Sequence, residues 1–520
     1  MPSFADALRA RGCLPAPSSL ASLFAAVALA ACGGGGGSSP VEGAPTPPPP
    51  PGPELTWVAP GTEVLATIEI PSRTAAFAHG LTQAFLANDG RIALRITAVH
   101  GKNDGVTLNE QFERIYTRAA NGTWAAAEPL TTLTSPGTSI GTERWNGNDA
   151  GWLWVTDSRE NIFVADSAPR AIGSGVGQAL RSAPRHAPAA DERRLGHILG
   201  NDGTLHLLDA RSQTAADPEW RVSSTRVPAD GSAATSVVVL KHTAANSTSA
   251  GGVFWQNSPQ LSFNPTATLA ALYWAEPFIP NQEPMLEVVR LRDGETLIGS
   301  PFPLAGVMNT RCNEKVHTAT WGTVVTSEVR GTDNVCRLVV RVAETRVPLT
   351  TTTTDTALSL PGHGLVRKHW TSTGPDGQLM VLWLQSAGAD QGDVLAMSTA
   401  QVPAGNLADR AWTWTPPAAV TFEGKTLSDA VVKQGTGGHV ALVFTSQNQG
   451  EITTWLRRYS PGKGWEPDRK VFTRRYGSVA EDNVSVAADG KVLIAYAISN
   501  DCLPTAPCTY TLYPRAVVFD

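Results

Sequence analysis

The sequence predicts an all-β fold, a β-propeller of seven or eight blades, and three observations carry that expectation. Short apolar strands recur behind glycine turns at a near-constant interval. Gly (48), Pro (38) and Trp (15) are plentiful while charged residues make up only 17%, the balance of short strands joined by many turns. Helix-rich stretches are missing, and 520 residues exceed what one ordinary core needs, so a repeat-built body accounts for the length more simply than several separate domains.

Residues 1–31 read as a signal peptide. Arg9 and Arg11 give a positive start, Leu20 through Ala30 an apolar run too short to span a bilayer, and Leu29-Ala30-Ala31-Cys32 sets small residues before a cysteine. The segment resembles the lipobox of bacterial lipoproteins, with Pro15 and Pro17 departing from the usual start of the apolar run. That resemblance implies cleavage before Cys32, S-diacylation of its thiol with palmitate-type chains, and acylation of the new amine. Several acyl chains anchor a protein stably to a membrane where one binds only marginally. Gly33 stands where, in enteric-type sorting, an aspartate holds lipoproteins at the inner membrane, so the resemblance implies the outer membrane, facing periplasm or exterior.

Residues 32–54 are expected to be a disordered tether. Gly33 to Gly37 with Ser38 and Ser39 form a flexible coil, and Pro45 with Pro47 to Pro51 adds an extended polyproline stretch. Neither carries chemistry.

From residue 55 to 520 the chain repeats a unit of about 50–60 residues. Clear copies are Asp89-Gly90-Arg91-Ile92, Gly151-Trp152-Leu153-Trp154, Asp202-Gly203-Thr204-Leu205, Asp376-Gly377-Gln378-Leu379, Gly438-His439-Val440-Ala441 and Asp489-Gly490-Lys491-Val492, with less regular ones at Thr268 to Trp274 and Thr318 to Val325. Asp-Gly supplies a tight hairpin turn in which glycine takes positive φ. The strand behind it runs apolar because both faces of a blade are buried between neighbours. Counting all copies gives eight blades, and an insertion near residues 170–195 would leave seven. A ring of sheets keeps one edge unpaired unless a terminal strand completes the last blade, so Glu63 to Ile70 is expected beside the final run Tyr510 to Phe519. Tryptophans in the turns Asn121-Gly122-Thr123-Trp124, Ala411-Trp412-Thr413-Trp414 and Gly462-Lys463-Gly464-Trp465 read as wedges between sheets.

Of six cysteines, Cys13 leaves with the signal and Cys32 takes the lipid, so Cys312, Cys336, Cys502 and Cys508 remain as an even set in an oxidising compartment. Local disulfides are expected, Cys312 with Cys336 and Cys502 with Cys508. Zinc is not, because no close Cys or His pair of the C-x-x-C kind exists. The net charge of −5 and the scattered Lys and Arg exclude a nucleic-acid footprint. Nucleophile-elbow, metalloprotease, phosphate-loop and dinucleotide motifs are absent as well, so no cofactor is implied. Gly196-His197 and Gly362-His363 read as structural turns.

With Asn121-Gly122-Thr123-Trp124 and the repeat together, the chain resembles the sialidase-like and related multi-blade propellers of bacterial exported proteins. Two departures stand out. The sialidase Asp-box, Ser-x-Asp-x-Gly-x-Thr-Trp, survives only as its tail, and the carboxylate-clamping arginine of the family is replaced by glutamate in Ile68-Glu69-Ile70-Pro71, which reverses the charge. Eight or nine residues before repeat glycines stand Glu143, His369, Asp429 and Asp482, with Arg144 and Trp370 beside them. If inner strands begin there, these groups converge on a central funnel able to bind a cation or a sugar, or to seat a general acid and base. Two functions follow: an outer-membrane binding or scaffold module for an envelope protein, peptide or glycan, or a glycan-active hydrolase or lyase working from funnel carboxylates.

Overall fold

A computed structural model describes residues 55–66, 68–71, 78–101, 108–125, 128–136, 144–159, 162–166, 169–173, 192–211, 219–243, 260–274, 285–301, 311–330, 336–344, 356–374, 377–387, 393–402, 412–422, 429–448, 450–474, 483–499 and 509–520. The signal peptide, the linker with Cys32, and Cys502 and Cys508 lie outside these residues.

The described strands form eight antiparallel sheets, numbered here in chain order: sheet 1 (78–136), 2 (144–171), 3 (192–243), 4 (260–301), 5 (311–358), 6 (366–419), 7 (429–474) and 8 (483–519). In each the first strand lies at one edge and pairs with the second; sheet 3 is a simple up-and-down meander, with the order Glu192–Leu199, Leu205–Arg211, Glu219–Val227, Thr235–Thr243, whereas in sheet 2 both Ile162–Asp166 and Arg170–Ala171 pair with Trp152–Arg159. The less regular sequence copies supply the second strands of sheets 4 and 5, Leu269–Trp274 and Gly322–Arg330.

No sheet has a core of its own. Along Val492–Ser499 of sheet 8, Val492, Ile494, Tyr496 and Ile498 join the apolar cluster shared with sheet 7, while Leu493, Ala495 and Ala497 join the one shared with sheet 1. That split follows from the two-residue period of a strand buried on both faces. The same holds at every junction: one cluster lies between each consecutive pair of sheets, and an eighth, with Ile92, Leu94 and Ile96 against Leu493 and Ala495, joins sheet 8 back to sheet 1. A closed ring of sheets packed face to face is a β-propeller arrangement. Trp124, Trp412, Trp414 and Trp465, the tryptophans expected as wedges, pack partly buried against junction clusters, with Trp412 tilted 5.3 Å from Trp321, while Trp154 and Trp383 are wholly buried in such junctions.

Closure uses the N-terminal strands. Glu63–Val64 and Ile68–Pro71 pair with Thr509–Phe519, completing sheet 8, after Leu55–Val58 has been added to the outer edge of sheet 7. Glu63 then reaches sheet 1, where Trp124 donates its indole N–H to the carboxylate and Arg118 lies 3.4 Å away. Glu69 falls in this closing strand opposite Thr511.

The turn chemistry explains the repeat. Gly90, Gly151, Gly203, Gly377, Gly438 and Gly490 all take positive φ (79 to 88°) between the first and second strands of their sheets. Each closes a three-residue loop, as where Gly203 N–H donates to Gly200 O and Gly200 N–H to Thr204 O. The Asp of Asp-Gly accepts the N–H just past the glycine: Arg91 to Asp89 (3.1 Å), Thr204 to Asp202 (2.9 Å), Lys491 to Asp489 (3.1 Å). Sheet 4 lacks the glycine, so Ala267 adopts φ 54° and Asn264 holds the loop by accepting from Thr268 and Leu269 N–H.

One expected disulfide meets a geometric obstacle. Cys312 and Cys336 stand on the two strands flanking Gly322–Arg330, opposite Glu328 and Arg330 respectively. Two strand spacings separate their backbones by about 9–10 Å, wider than the roughly 4.4–6.8 Å between Cα atoms that a disulfide spans. Bracketing a strand in sequence placed them on opposite sides of it rather than face to face.

Gly203 serves twice, since a Cβ there would lie 2.6 Å from the Trp152 ring of sheet 2 and the residue also needs φ 80°. Gly231 has the same φ with nothing within 4 Å. Replacing Gly231 with Ala should cost about 1–2 kcal/mol for the backbone alone. Gly203→Ala should cost more and lower the thermal midpoint further; equal midpoints for the two variants would show that the Trp152 contact is immaterial.

Candidate functional site

The first strands of the sheets form the inner ring, and their ends, just before the glycine turns, enclose a cavity of about 650 Å³. Six sheets contribute: Gln83 and Phe85 from sheet 1, Asn148 and Asp149 from sheet 2, His197 from sheet 3, Ser262 and Phe263 from sheet 4, Lys433, Gln434 and Thr436 from sheet 7, and Ser485 from sheet 8. Such a cavity collects loop and edge groups because sheet faces are already spent on their neighbours.

Much of its lining is held by bonds between sheets. Asn148 Nδ2 donates to Leu199 O (3.1 Å) and Gly200 O (2.8 Å), while its Oδ1 accepts from Trp152 N–H (3.0 Å). Ser485 Oγ accepts from Leu86 N–H of sheet 1 (3.0 Å), and Ser262 Oγ accepts from Thr318 N–H of sheet 5 (2.9 Å). Two ties connect sheets that are not neighbours. Thr436 Oγ1 donates to the Asp149 carboxylate, joining sheets 7 and 2. Gln434, in the orientation that satisfies its amide, donates to Thr371 O (2.8 Å) and accepts from Thr373 N–H (3.3 Å), and it stands 3.4 Å from His317 Nε2 of sheet 5.

His317 stands next to this lining, beside Gln434. Its Nε2 lies 3.1 Å from Thr373 Oγ1, and desolvation by burial pushes its pKa down to about 4. The imidazole is therefore neutral at physiological pH, a hydrogen-bonding group rather than a charge.

The groups expected at a funnel do not assemble as predicted. Arg144 and Asp429 do begin inner strands, Arg144–Gly147 and Asp429–Gln434, but these starts lie at the far end of the ring from the cavity. Glu143 and Asp482 lie outside the described residues. His369 is wholly buried between sheets 5 and 6, its Nδ1 3.3 Å from Glu328 Oε1 and its backbone carbonyl accepting from Lys315 Nζ (2.6 Å). Burial holds its pKa below the usual value, with Glu328 opposing. It belongs to a polar network inside a junction, because side chains of an inner strand alternate between the two faces of their sheet instead of pointing down the axis. Trp370 is half-buried with Lys368 Nζ 5.0 Å from its ring centre. Gly196-His197, expected as a turn, lies within the Glu192–Leu199 strand, where His197 meets Trp154 edge-on at 4.8 Å.

Asn148, Asp149, Gln434 and Thr436 escaped the sequence reading. A signal was present, for they stand only a few residues before Gly151 and Gly438, Gln434 closing an inner strand and the others within the turns that the repeat marks. Polar residues at such positions are ordinary turn formers, which hid their second role.

No protein-family model matches the chain, and no curated protein matches it. Among solved structures it is similar to a prolyl oligopeptidase from Galerina marginata (7% identity over 81% of this chain and 56% of the other, TM-score 0.43). It is similar also to the WD40 domain of SCAP from fission yeast (10% identity, 86% and 98%, TM-score 0.39) and to an ulvan lyase of a polysaccharide lyase family (10% identity, 82% and 93%, TM-score 0.37). The chain spans little more than half the length of the prolyl oligopeptidase. At these identities and scores the fold rests on its own sheets and junctions.

Because folded His317 stays neutral while the unfolded chain takes up a proton near pH 6.5, stability should fall as pH drops from about 6.5 toward 4. The loss has an upper bound of about 3 kcal/mol. His317→Gln should retain more of its thermal midpoint at pH 4.5 than the parent protein does, and parallel losses would exclude this histidine as a source.

Proposed function

We propose that the chain is an eight-bladed β-propeller acting as a binding module of the cell envelope, held at the outer membrane by acyl chains on Cys32. The ligand is a polar, largely uncharged group, such as a sugar or a peptide backbone of an envelope partner, received at the turn end of the central channel. One observation carries this reading: the cavity of about 650 Å³ is lined by amides and hydroxyls from opposite sides of the ring, with Phe85 and Phe263 beside them. Small-ligand sites combine apolar and aromatic wall with a few polar groups in this way. Those polar groups are fixed by bonds between sheets, so little side-chain freedom is lost when a ligand takes up their remaining capacity.

The blade count is supported by eight sheets and eight junction clusters in the described residues. A binder is favoured over a glycan-active enzyme because, among the described residues lining the cavity, Asp149 is the sole carboxylate and it already accepts from Thr436. Hydrolysis of a glycosidic bond needs a pair of carboxyls about 5–10 Å apart.

Full-length protein in detergent, applied to glycan and peptide arrays, should retain at least one polar ligand. The double variant Gln434→Ala with Thr436→Ala should bind it at least tenfold more weakly while still showing a cooperative melt. Undiminished affinity in a folded double variant would remove the channel from consideration.

The anchor is tested separately. Cys32→Ser should abolish incorporation of labelled palmitate and move the protein from the membrane to the soluble fraction, and labelling that persists in this variant would rule out lipidation at Cys32.

A further inference from the structure

A second cavity, of about 750 Å³, opens between sheets 3 and 4 beside their glycine-type turns. It lies where the apolar cluster joining those sheets runs out. His206 and Arg226 are directly opposed residues of the two central strands of sheet 3, on the face turned toward sheet 4. Cross-strand neighbours of this kind hold their Cβ atoms about 4.5–5.5 Å apart. Sheet 4 supplies Arg290 and Arg292 across the gap, together with the hydroxyl groups of Thr266 and Thr268.

Charge in this groove is lopsided. Three guanidinium groups face a single carboxylate, Asp202, whose oxygens are already occupied by Thr204 N–H (2.9 Å) and Thr204 Oγ1 (2.9 Å). Arg290 is engaged by Asp293 and Glu295 on the outer surface. Among the described residues Arg226 and Arg292 have no such partner, and Arg292 is exposed.

Two polar atoms make this more than a basic patch. His206 is 6% exposed, yet its Nδ1 is buried without a hydrogen-bond partner, and the Nε of Arg226 is buried and unpartnered too. Leaving such groups unsatisfied costs about 1–3 kcal/mol each, which a folded protein tolerates where a ligand or ion completes them. Asp202 and Arg226 act on His206 with opposite sign, and burial with Arg226 prevails, so the ring is held neutral with a pKa of about 4. A neutral imidazole beside unneutralised guanidinium groups can donate one N–H without adding a charge that must be desolvated.

We propose that the groove between sheets 3 and 4 is an oxyanion site, in which Arg226, His206 and Arg292 hold a carboxylate, sulfate or phosphate group. Arg226 presents a planar fork matched to two oxygens of the anion, the His206 ring closes the buried side, and Arg292 adds charge from the rim. The volume accommodates an anionic sugar residue as well as a free ion. The site is independent of whatever the central channel receives, since the two cavities share no lining residue.

The test is calorimetric titration of the full-length protein in detergent with sulfate, phosphate, acetate and glucuronate at constant ionic strength. Saturable binding of at least one anion is expected, weakened at least tenfold by Arg226→Gln and by His206→Gln. Arg367→Gln, at an exposed arginine of sheet 6, should leave it unchanged. Arg226→Lys keeps the charge and loses the fork, so it should bind more weakly than the parent even if Arg226→Gln fails to fold. Glucuronate binding more tightly than acetate would identify the ligand as an anionic sugar, and preference for sulfate or phosphate over glucuronate would identify it as the inorganic ion or its monoester. Absence of saturable binding by all four anions, or equal weakening by Arg367→Gln and by the Arg226 variants, would overturn the site.

Discussion

Face-to-face burial between sheets is the constraint from which everything else in this protein follows. A four-stranded sheet whose second strand is apolar on both sides, as in Leu205–Arg211, cannot stand in water with either face bare. Each fully buried Leu, Ile or Val contributes roughly 1.5–3 kcal/mol, and those contributions exist only when a neighbour is present. Sheets that need two neighbours and are connected in sequence have one compact solution, a ring in which the last meets the first. The junction of Ile92, Leu94 and Ile96 with Leu493, Ala495 and Ala497 is therefore a requirement of the other seven and not an added contact.

The ring determines where chemistry can be located. Because faces are consumed by packing, polar groups have three places left: within junctions, at strand ends around the axis, and in the gaps where a junction stops short of the turns. His369, Glu328 and Lys315 occupy the first, linked to one another through His369 Nδ1 and the His369 carbonyl. Asp149, Gln434 and Thr436 occupy the second, tying together sheets that do not touch. His206 and Arg226 occupy the third, beside a cavity large enough to receive a ligand.

The architecture was legible in the sequence because one backbone requirement recurs. Gly90, Gly151, Gly203, Gly377, Gly438 and Gly490 stand out since positive φ tolerates few other residues, and the apolar strand behind each advertises burial on two faces. Sheet 4 was harder to see because Ala267 and Asn264 do the work of Asp-Gly by a different hydrogen-bonding scheme. The site was less legible. Counting back from a glycine located the starts of inner strands at Arg144 and Asp429, but sequence distance says nothing of which face a side chain takes, and His369 fell into a junction. Cys312 and Cys336 show the same gap between proximity along the chain and proximity in space, for the strand between them holds them apart. Pairs such as His206 with Arg226 emerge only from register, which no local pattern encodes.

The completion of sheet 8 by Glu63–Val64 and Ile68–Pro71 sets an order on the birth of the molecule. Residues that leave the ribosome among the first of the described strands find their partners in Thr509–Phe519, made after all the other described strands. During synthesis the early sheets can gather one upon another, yet both ends of the growing stack keep an uncovered apolar face and an unpaired edge until that strand has been made. Such long-range pairing is slow relative to local hairpin formation. Nascent chains of this protein therefore spend their synthesis as sticky, open arcs, and they gain protection from association only when the two extremities meet.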